Sequence, residues 1–497
     1  MYSIWYDLSV IVPELNLIFG ALLFLLFGAF TKKNTLKYVC YGAIVLMIAS
    51  IYHVCANTVK DTMLFNGMLL VNEYTSLIKI LLLIAVIVIF FMQASLEKTD
   101  QYISFEMPVL MMLSTAGMMF LVSSKNFLSL YLSLELMSLP LYIMAAFNRN
   151  NEFSAEAGLK YFILGALSSG LYLFGASLLY GFTGTGGFEA ITHYHYNAAA
   201  MGIESGNMLP IIILTGIIFI VVSICFKVSA APFHMWAPDV YQGSPTIVTA
   251  FFAALPKVAM LALFARLLSD PYNLLLGLYK FDQIIIFVSI ASMFIGSFGA
   301  IMQKSIKRML AYSSIAHVGF ALIGIAANQV EGLRGFVVYI IIYLAMTLGI
   351  FACILMLRKD DEYKDNISDL SGIAKKYPYL AFAIAVLMFS LAGIPPLAGF
   401  FAKFYVLLAA IKEGMYIYSV AAVIASVISA FYYLRIVKIM YFDETKNSVQ
   451  GFFPLTLKVI GALAVVFNLL YFISPAPIVI IAEEVVKVLL DWRPWVS

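Results

Sequence analysis

One apolar run after another limits what this chain can become. The stretch LPIIILTGIIFIVVSIC (Leu209–Cys225) carries no charge, and comparable runs recur along all 497 residues. About 18 to 25 apolar residues is the length that crosses a hydrocarbon core as a helix. With 63% hydrophobic and 11% charged residues, there are too few charges to clothe a soluble protein of this size. The expected fold class is therefore all-α: a polytopic membrane protein of about 14 transmembrane helices. No polar block is large enough to fold separately, so residues 1–497 read as one membrane domain. The segment MYSIWYD before the first run lacks the basic start and small-residue cleavage site of a signal peptide, so the first span, Leu8–Phe30, is expected to stay.

Lysine and arginine set the orientation. Alternate loops hold Lys32, Lys33 and Lys37; Lys98; Arg149; Lys304, Lys307 and Arg308; Arg358, Lys359, Lys364, Lys375 and Lys376; and Arg435, Lys438 and Lys446. The opposite loops hold few, and Thr183–Met208 holds none. The positive-inside rule puts the basic set in the cytoplasm and, with an even span count, both termini outside.

The spans also repeat. The fourth to eighth, residues 105–268, match the ninth to thirteenth, residues 282–441, in pattern at an offset of roughly 175 residues. Five spans per unit invert the second copy. In each unit the fourth member is broken by proline and carries a lysine: Lys227 with Pro232, and Lys403 with Pro395 and Pro396. Two inverted five-helix repeats with two broken helices point to transport at the repeat interface. The tail, residues 475–497, has apolar and charged residues that can segregate onto helix faces, as in an interfacial helix.

Charges inside the spans are the candidate site. Glu135 is the only charge in NFLSLYLSLELMSLPLYIMAAF, Lys257 lies deep in PTIVTAFFAALPKVAMLALFA, and His317 is central in its span. A charge at the centre of a membrane helix costs about 2.5–3.5 kcal/mol on insertion scales. Each residue has a plain reading too. Lys227 is equally a snorkelling lysine at a span end, and snorkelling is the favoured reading of Lys79 and Arg266. His317 also reads as a neutral core histidine, and Glu135 as a static lock between helices. Together, acid, lysines and breaks recur in one arrangement, which favours a hydrated path. Burial disfavours a charged lysine and a nearby carboxylate favours it, so moving Glu135 towards or away from Lys227 loads or releases a proton. Against about 200 mV this requires roughly 4.6 kcal/mol. Tyr312, Ser313 and Ser314 are candidates to hold water between such groups.

Other chemistries lack motifs. Cys40, Cys55, Cys225 and Cys353 are isolated, without iron–sulfur or zinc spacing. GFTGTGGF lacks the strand-to-helix setting of a dinucleotide site, no phosphate loop is present, and a net charge of +3 gives no support for nucleic-acid binding.

The stretches KVSAAPFHMWAPDVYQGSPT, PKVA (Pro256–Ala259), AYSSIAHVGF (Ala311–Phe320) and SLAGIPPLAGFFAKFYV (Ser390–Val406) resemble the antiporter-like membrane subunits of proton-pumping NADH–quinone oxidoreductase, respiratory complex I, and among them the N type. The resemblance covers essentially the whole chain. It implies proton translocation in which Glu135 pairs with Lys227, Lys257 is the central lysine, His317 lies between, and Lys403 ends the axis. It implies that NADH, FMN, iron–sulfur clusters and quinone sit in partner subunits, with no cofactor or metal in this chain. The implied partners are M-, K-, J- and A-type membrane-arm subunits, the lateral helix of an L-type subunit, and lipids. The first stretch departs from the plastid pattern PSHQWTPDVYEG, and the chain is longer than the animal mitochondrial version, so a bacterial inner membrane with periplasmic termini is expected. Two competing readings are a subunit of a multi-subunit sodium/proton antiporter and a structural membrane scaffold.

Overall fold

The computed structural model of the protein describes residues 4–31, 35–57, 61–96, 104–188, 211–269, 282–358, 366–444 and 450–491. Several basic residues used for orientation, among them Lys32, Lys33, Lys98, Lys359, Lys364 and Lys446, lie outside these, as do most of the Thr183–Met208 loop and the last six residues of the tail.

Nearly everything described is helix. The order is α1 (Ile4–Val10), α2 (Val12–Phe30), α3 (Leu36–Ala56), the strands β1 (Thr62–Leu64) and β2 (Leu69–Val71), α4 (Glu73–Leu96), α5 (Glu106–Ser123), α6 (Phe127–Ala145) and α7 (Glu152–Thr183). Then come α8 (Ile211–Lys227), α9 (Ala237–Gly243), α10 (Thr246–Ser269), α11 (Asp282–Ile301), α12 (Ile306–Ala326) and α13 (Val330–Leu355). After β3 (Leu357–Arg358) follow α14 (Ile373–Lys376), α15 (Pro378–Ala392), α16 (Ala398–Lys412), α17 (Tyr416–Phe442), β4 (Gln450–Gly451), α18 (Leu455–Leu470) and α19 (Ala476–Asp491). Among the described residues eleven helices are long and apolar enough to cross a membrane, and α8, α15 and α18 are shorter apolar helices. The chain is a multi-pass membrane protein.

Local chemistry explains where helices start and stop. Asn126 caps α6 by accepting from Leu128 N at 2.8 Å, and Ser129 reciprocates towards Asn126 N. Asn151 caps α7, which ends on left-handed Gly184. The first span differs from expectation. It begins earlier, at Ile4, and hitches at Ile11, where Pro13 at the start of α2 cannot donate a helical hydrogen bond. The two small antiparallel ribbons, β1–β2 and β3–β4, are departures from the all-α reading. The first turns through Phe65, Asn66 and Gly67, all at positive φ, and Phe65 N donates to Asp7 Oδ2 at 3.0 Å.

Burial grades from rim to centre. About a third of α2 and α17 is buried, and both present apolar side chains outward, as lipid-facing helices do. By contrast α10 is buried throughout, α12 to 94% and α13 to 89%. These three helices form the core, and they carry Lys257, Ser313, Ser314, His317, Tyr339 and Tyr343.

Two residues read as snorkelling do not snorkel. Lys79 is 3% exposed, and its Nζ lies 2.6 Å from Glu14 Oε1, a residue with no exposure at all. Arg266 is also buried. Its Nη1 donates to Val122 O at 2.5 Å and its Nη2 to Ser124 O. It thereby satisfies carbonyls at the C-terminal end of α5, the end where a cation is favoured. In both cases a partner from a distant span holds the cation inside.

Candidate functional site: a buried polar axis

Lys227 is the last residue of α8 and is 5% exposed. Its Nζ donates to Ser138 Oγ and Tyr142 OH, each at 3.0 Å. Both acceptors stand on the face of α6 that carries Glu135, at spacings of i+3 and i+7. Glu135 is half-buried, and its Oε1 is enclosed without a hydrogen-bond partner. Among the described residues Glu135 and Lys227 form no ion pair or hydrogen bond with each other. The acid and the lysine thus sit on facing helices, with a serine and a tyrosine taking the lysine's hydrogen bonds.

The backbone around this lysine is repaired by side chains. After Lys227 the helix ends, Ser229 adopts a left-handed φ of 59°, and Ala231–Pro232 is cis. Trp236 Nε1 donates to Phe226 O at 2.9 Å, and Ala231 N donates to Ser292 Oγ of α11 at 2.8 Å. A broken helix is tolerated at membrane depth only where freed groups find such partners. Pro232 itself is on the outer surface of the chain.

Lys257 is the twelfth of 24 residues in α10 and is 1% exposed. It donates to Ser314 Oγ of α12, and its Nζ lies 5.2 Å from the centre of the Tyr241 ring. One helical turn beyond Ser314, on the same face, is His317. Its Nδ1 is 2.6 Å from Tyr339 OH and its Nε2 3.2 Å from Tyr433 OH. Tyr433 OH is in turn hydrogen-bonded to Ser313 Oγ. A neutral imidazole has one donor and one acceptor nitrogen, and a phenol fills either role, so this network can run in both directions. A small, mainly apolar cavity is bordered by Lys257, Leu261, His317, Tyr339 and Tyr343.

Lys403 lies in α16, just after the second break, and is 6% exposed. Its Nζ donates to Ala392 O at 2.9 Å, the last carbonyl of α15, and to Ser426 Oγ at 3.0 Å. It also sits 4.9 Å from the centre of the Phe320 ring. Pro395 and Pro396 are joined by a cis bond and both are exposed. Glycine is needed twice here. Gly393 closes α15 at φ 86°, and a Cβ on it would stand 3.0 Å from Lys403 Cδ. A Cβ on Gly399 would fall 1.9 Å from Ser390 O.

The sites thus form four hydrogen-bonded groups, around Lys227, Lys257, His317 and Lys403. Among the described residues no hydrogen bond links one group to the next. Hydroxyls outnumber carboxylates as hydrogen-bond partners of these groups.

The family model described as NADH:quinone oxidoreductase/Mrp antiporter, transmembrane, matches residues 124–429. The chain is 45% identical over 481 residues to NADH-quinone oxidoreductase subunit N of Parvibaculum lavamentivorans, which covers 96% of this chain and 97% of that one. This chain belongs to the NADH–quinone oxidoreductase subunit N family. A chain of respiratory complex I from Thermus thermophilus with bound aureothin is 26% identical, with a TM-score of 0.78 over 95% of this chain and 99% of that one. A chain of the Mrp complex from a Dietzia species has a TM-score of 0.81 over 97% of this chain and 98% of that one, at 19% identity, which shows a shared fold alone.

The sequence alone points to the five ionisable candidates, Glu135, Lys227, Lys257, His317 and Lys403, but not to their partners. Ser313 and Ser314 stand in the network, whereas Tyr312 turns aside and packs against Gly299 of α11. Ser138, Tyr142, Tyr339, Ser426 and Tyr433 were not named. One signal was present: Tyr339 and Tyr343 recur at i, i+4 within an otherwise apolar span.

Proposed function

We propose that this chain is a proton-translocating membrane-arm subunit of NADH–quinone oxidoreductase. The observation that carries this reading is the set of four buried ionisable groups, Lys227, Lys257, His317 and Lys403, each hydrogen-bonded to at least one hydroxyl. Membership of the subunit N family supplies the setting: quinone reduction in partner subunits drives proton transfer along Glu135, Lys227, Lys257, His317 and Lys403. NADH, FMN, iron–sulfur clusters and quinone are bound by those partners. Residues 105–268 and 282–441 act as inverted five-helix repeats, broken at Pro232 and at Pro395–Pro396 respectively. The amphipathic α19, within residues 475–497, lies at the interface. The chain sits in a bacterial inner membrane with periplasmic termini, among M-, K-, J- and A-type subunits and the lateral helix of an L-type subunit.

The geometry suggests how a proton is held and passed. Glu135 approaching Lys227 stabilises the ammonium, and withdrawal leaves a buried cation among neutral hydroxyls, which favours release of its proton. Ser314 and the His317–tyrosine network offer the next acceptors.

The test is Lys227→Ala in membrane vesicles containing the assembled complex. Proton pumping and NADH-driven quinone reduction are expected to fall together. Wild-type coupled activity would remove the reading. Gradient-driven sodium/proton exchange by vesicles lacking NADH dehydrogenase would instead assign the chain to an antiporter assembly.

A further inference from the structure

The half-helix α9 has seven residues, too few to stand alone. Charges grip it from two sides. Asp239 Oδ2 accepts from Lys160 Nζ of α7 at 2.6 Å, and Asp239 Oδ1 accepts from Arg308 Nη1 of α12 at 2.5 Å. The same Nη1 reaches Gln242 Oε1, one turn along, at 3.1 Å. At the far end Lys307 Nζ donates to Ser244 O at 3.0 Å, on the C-terminal cap of α9 where carbonyls lack helical partners. Adjacent residues of α12 therefore hold both ends of α9.

Each flank of α9 leads to the axis. On one side is Trp236, whose indole donates to Phe226 O, beside Lys227. On the other, α12 runs from Arg308 to Ser314, the hydroxyl bonded to Lys257. We infer that Asp239, with Arg308 and Lys160, is a positioning latch: it ties the loose half of the first broken helix to α12, so that movement at Lys227 is delivered to the Ser314–Lys257 contact. This rests on the proton-translocating reading. The side chains of Asp239, Arg308 and Lys160 are 30%, 28% and 41% exposed. Ion pairs that open to solvent add little stability, so the value of the latch lies in register. Neutralising Asp239 frees α9 from Lys160, which keeps Glu156 at 2.5 Å, and leaves only the Gln242 and Ser244 contacts tying α9 to α12.

The test uses vesicles containing the assembled complex. Asp239→Asn and Arg308→Gln are each expected to lower NADH-driven pumping and quinone reduction at least fivefold. The double variant is expected to be within twofold of either single, and Asp239→Glu to recover more than half of the activity. NADH:ferricyanide reduction, which bypasses proton transfer, and complex content on native gels are expected to stay at wild-type levels. Losses that multiply in the double variant would overturn the proposal. If Asp239→Asn reduces complex content, Lys160→Met carries the test: activity per assembled complex falls at least twofold if the latch holds, and an unchanged value overturns it. Wild-type pumping in the Asp239 and Arg308 variants beside an inactive Lys227→Ala removes the latch alone. Wild-type pumping in Lys227→Ala removes the reading beneath it.

Discussion

Replacing the buried pair Glu14–Lys79 tests whether ionic burial outside the axis is structural. The pair is 2.6 Å apart with side chains 0% and 4% exposed, in the first turn of α2 and the second turn of α4. Neither Glu14 oxygen has a donor in good hydrogen-bond geometry, so the contact recovers its desolvation cost poorly. Removing one partner leaves the other charge buried, a loss of about 3–5 kcal/mol. Replacing both by apolar residues of similar size is neutral or stabilising by about 1–4 kcal/mol. Lys79→Met and Glu14→Leu are therefore each expected to lower the thermal midpoint of the purified complex, at a fixed scan rate. The double variant returns to wild type or above, with pumping per complex unchanged. The reasoning fails if Lys79→Met is as stable as wild type, or if the double variant is less stable than either single.

Other expectations follow from single contacts. Tyr433→Phe removes the hydroxyl joining His317 Nε2 to Ser313 Oγ. At about 1 kcal/mol for a net hydrogen bond, pumping in vesicles slows about fivefold, and an unchanged rate would take Tyr433 out of the path. At the surface, Lys487 and then Arg334 hold the Glu483 carboxyl below the usual carboxylate range. A depressed group contributes stability above its unfolded value, near 4.3, and loses it as pH falls through the folded one. The attachment of α19 to α13 is thus expected to be constant from pH 7 to pH 5 and to loosen only in stronger acid. Spin-label mobility at a cysteine placed at exposed Ile480 reads this, and loosening already at pH 6 would refute it.

Much of the architecture was legible because apolar run length is set by the membrane. The apolar runs of the sequence at Leu36–Ala56, Asp282–Met302 and Ser305–Ala327 differ from the helices α3, α11 and α12 by at most one residue at either end. The GIPPLAG break is also where α15 gives way to α16. The partners of the charges were not legible. Lys79 reads as a span-end lysine until Glu14, two spans earlier, is seen against it. Lys227 closes an apolar run, and only Trp236 folding back on Phe226 O shows that the chain stays inside beyond it. Tyr339 and Tyr433 look like aromatic filler in sequence, because nothing local marks a phenol as facing a histidine on another span, the neighbouring one for Tyr339 and a more distant one for Tyr433. The ribbon of Thr62–Val71 was missed because its strands are three residues each and its FNG turn sits between long apolar runs.

The central claim is that protons pass through the buried axis, and Lys257 tests it most directly. It lies at mid-helix, is 1% exposed, and bonds to a serine rather than a carboxylate. The measurement is proton uptake by inverted vesicles carrying Lys257→Met in the assembled complex, recorded with NADH:ferricyanide reduction as the assembly control. The account predicts that NADH-driven pumping and quinone reduction fall at least tenfold while the ferricyanide rate holds. Pumping at the wild-type rate and stoichiometry in that variant would contradict it.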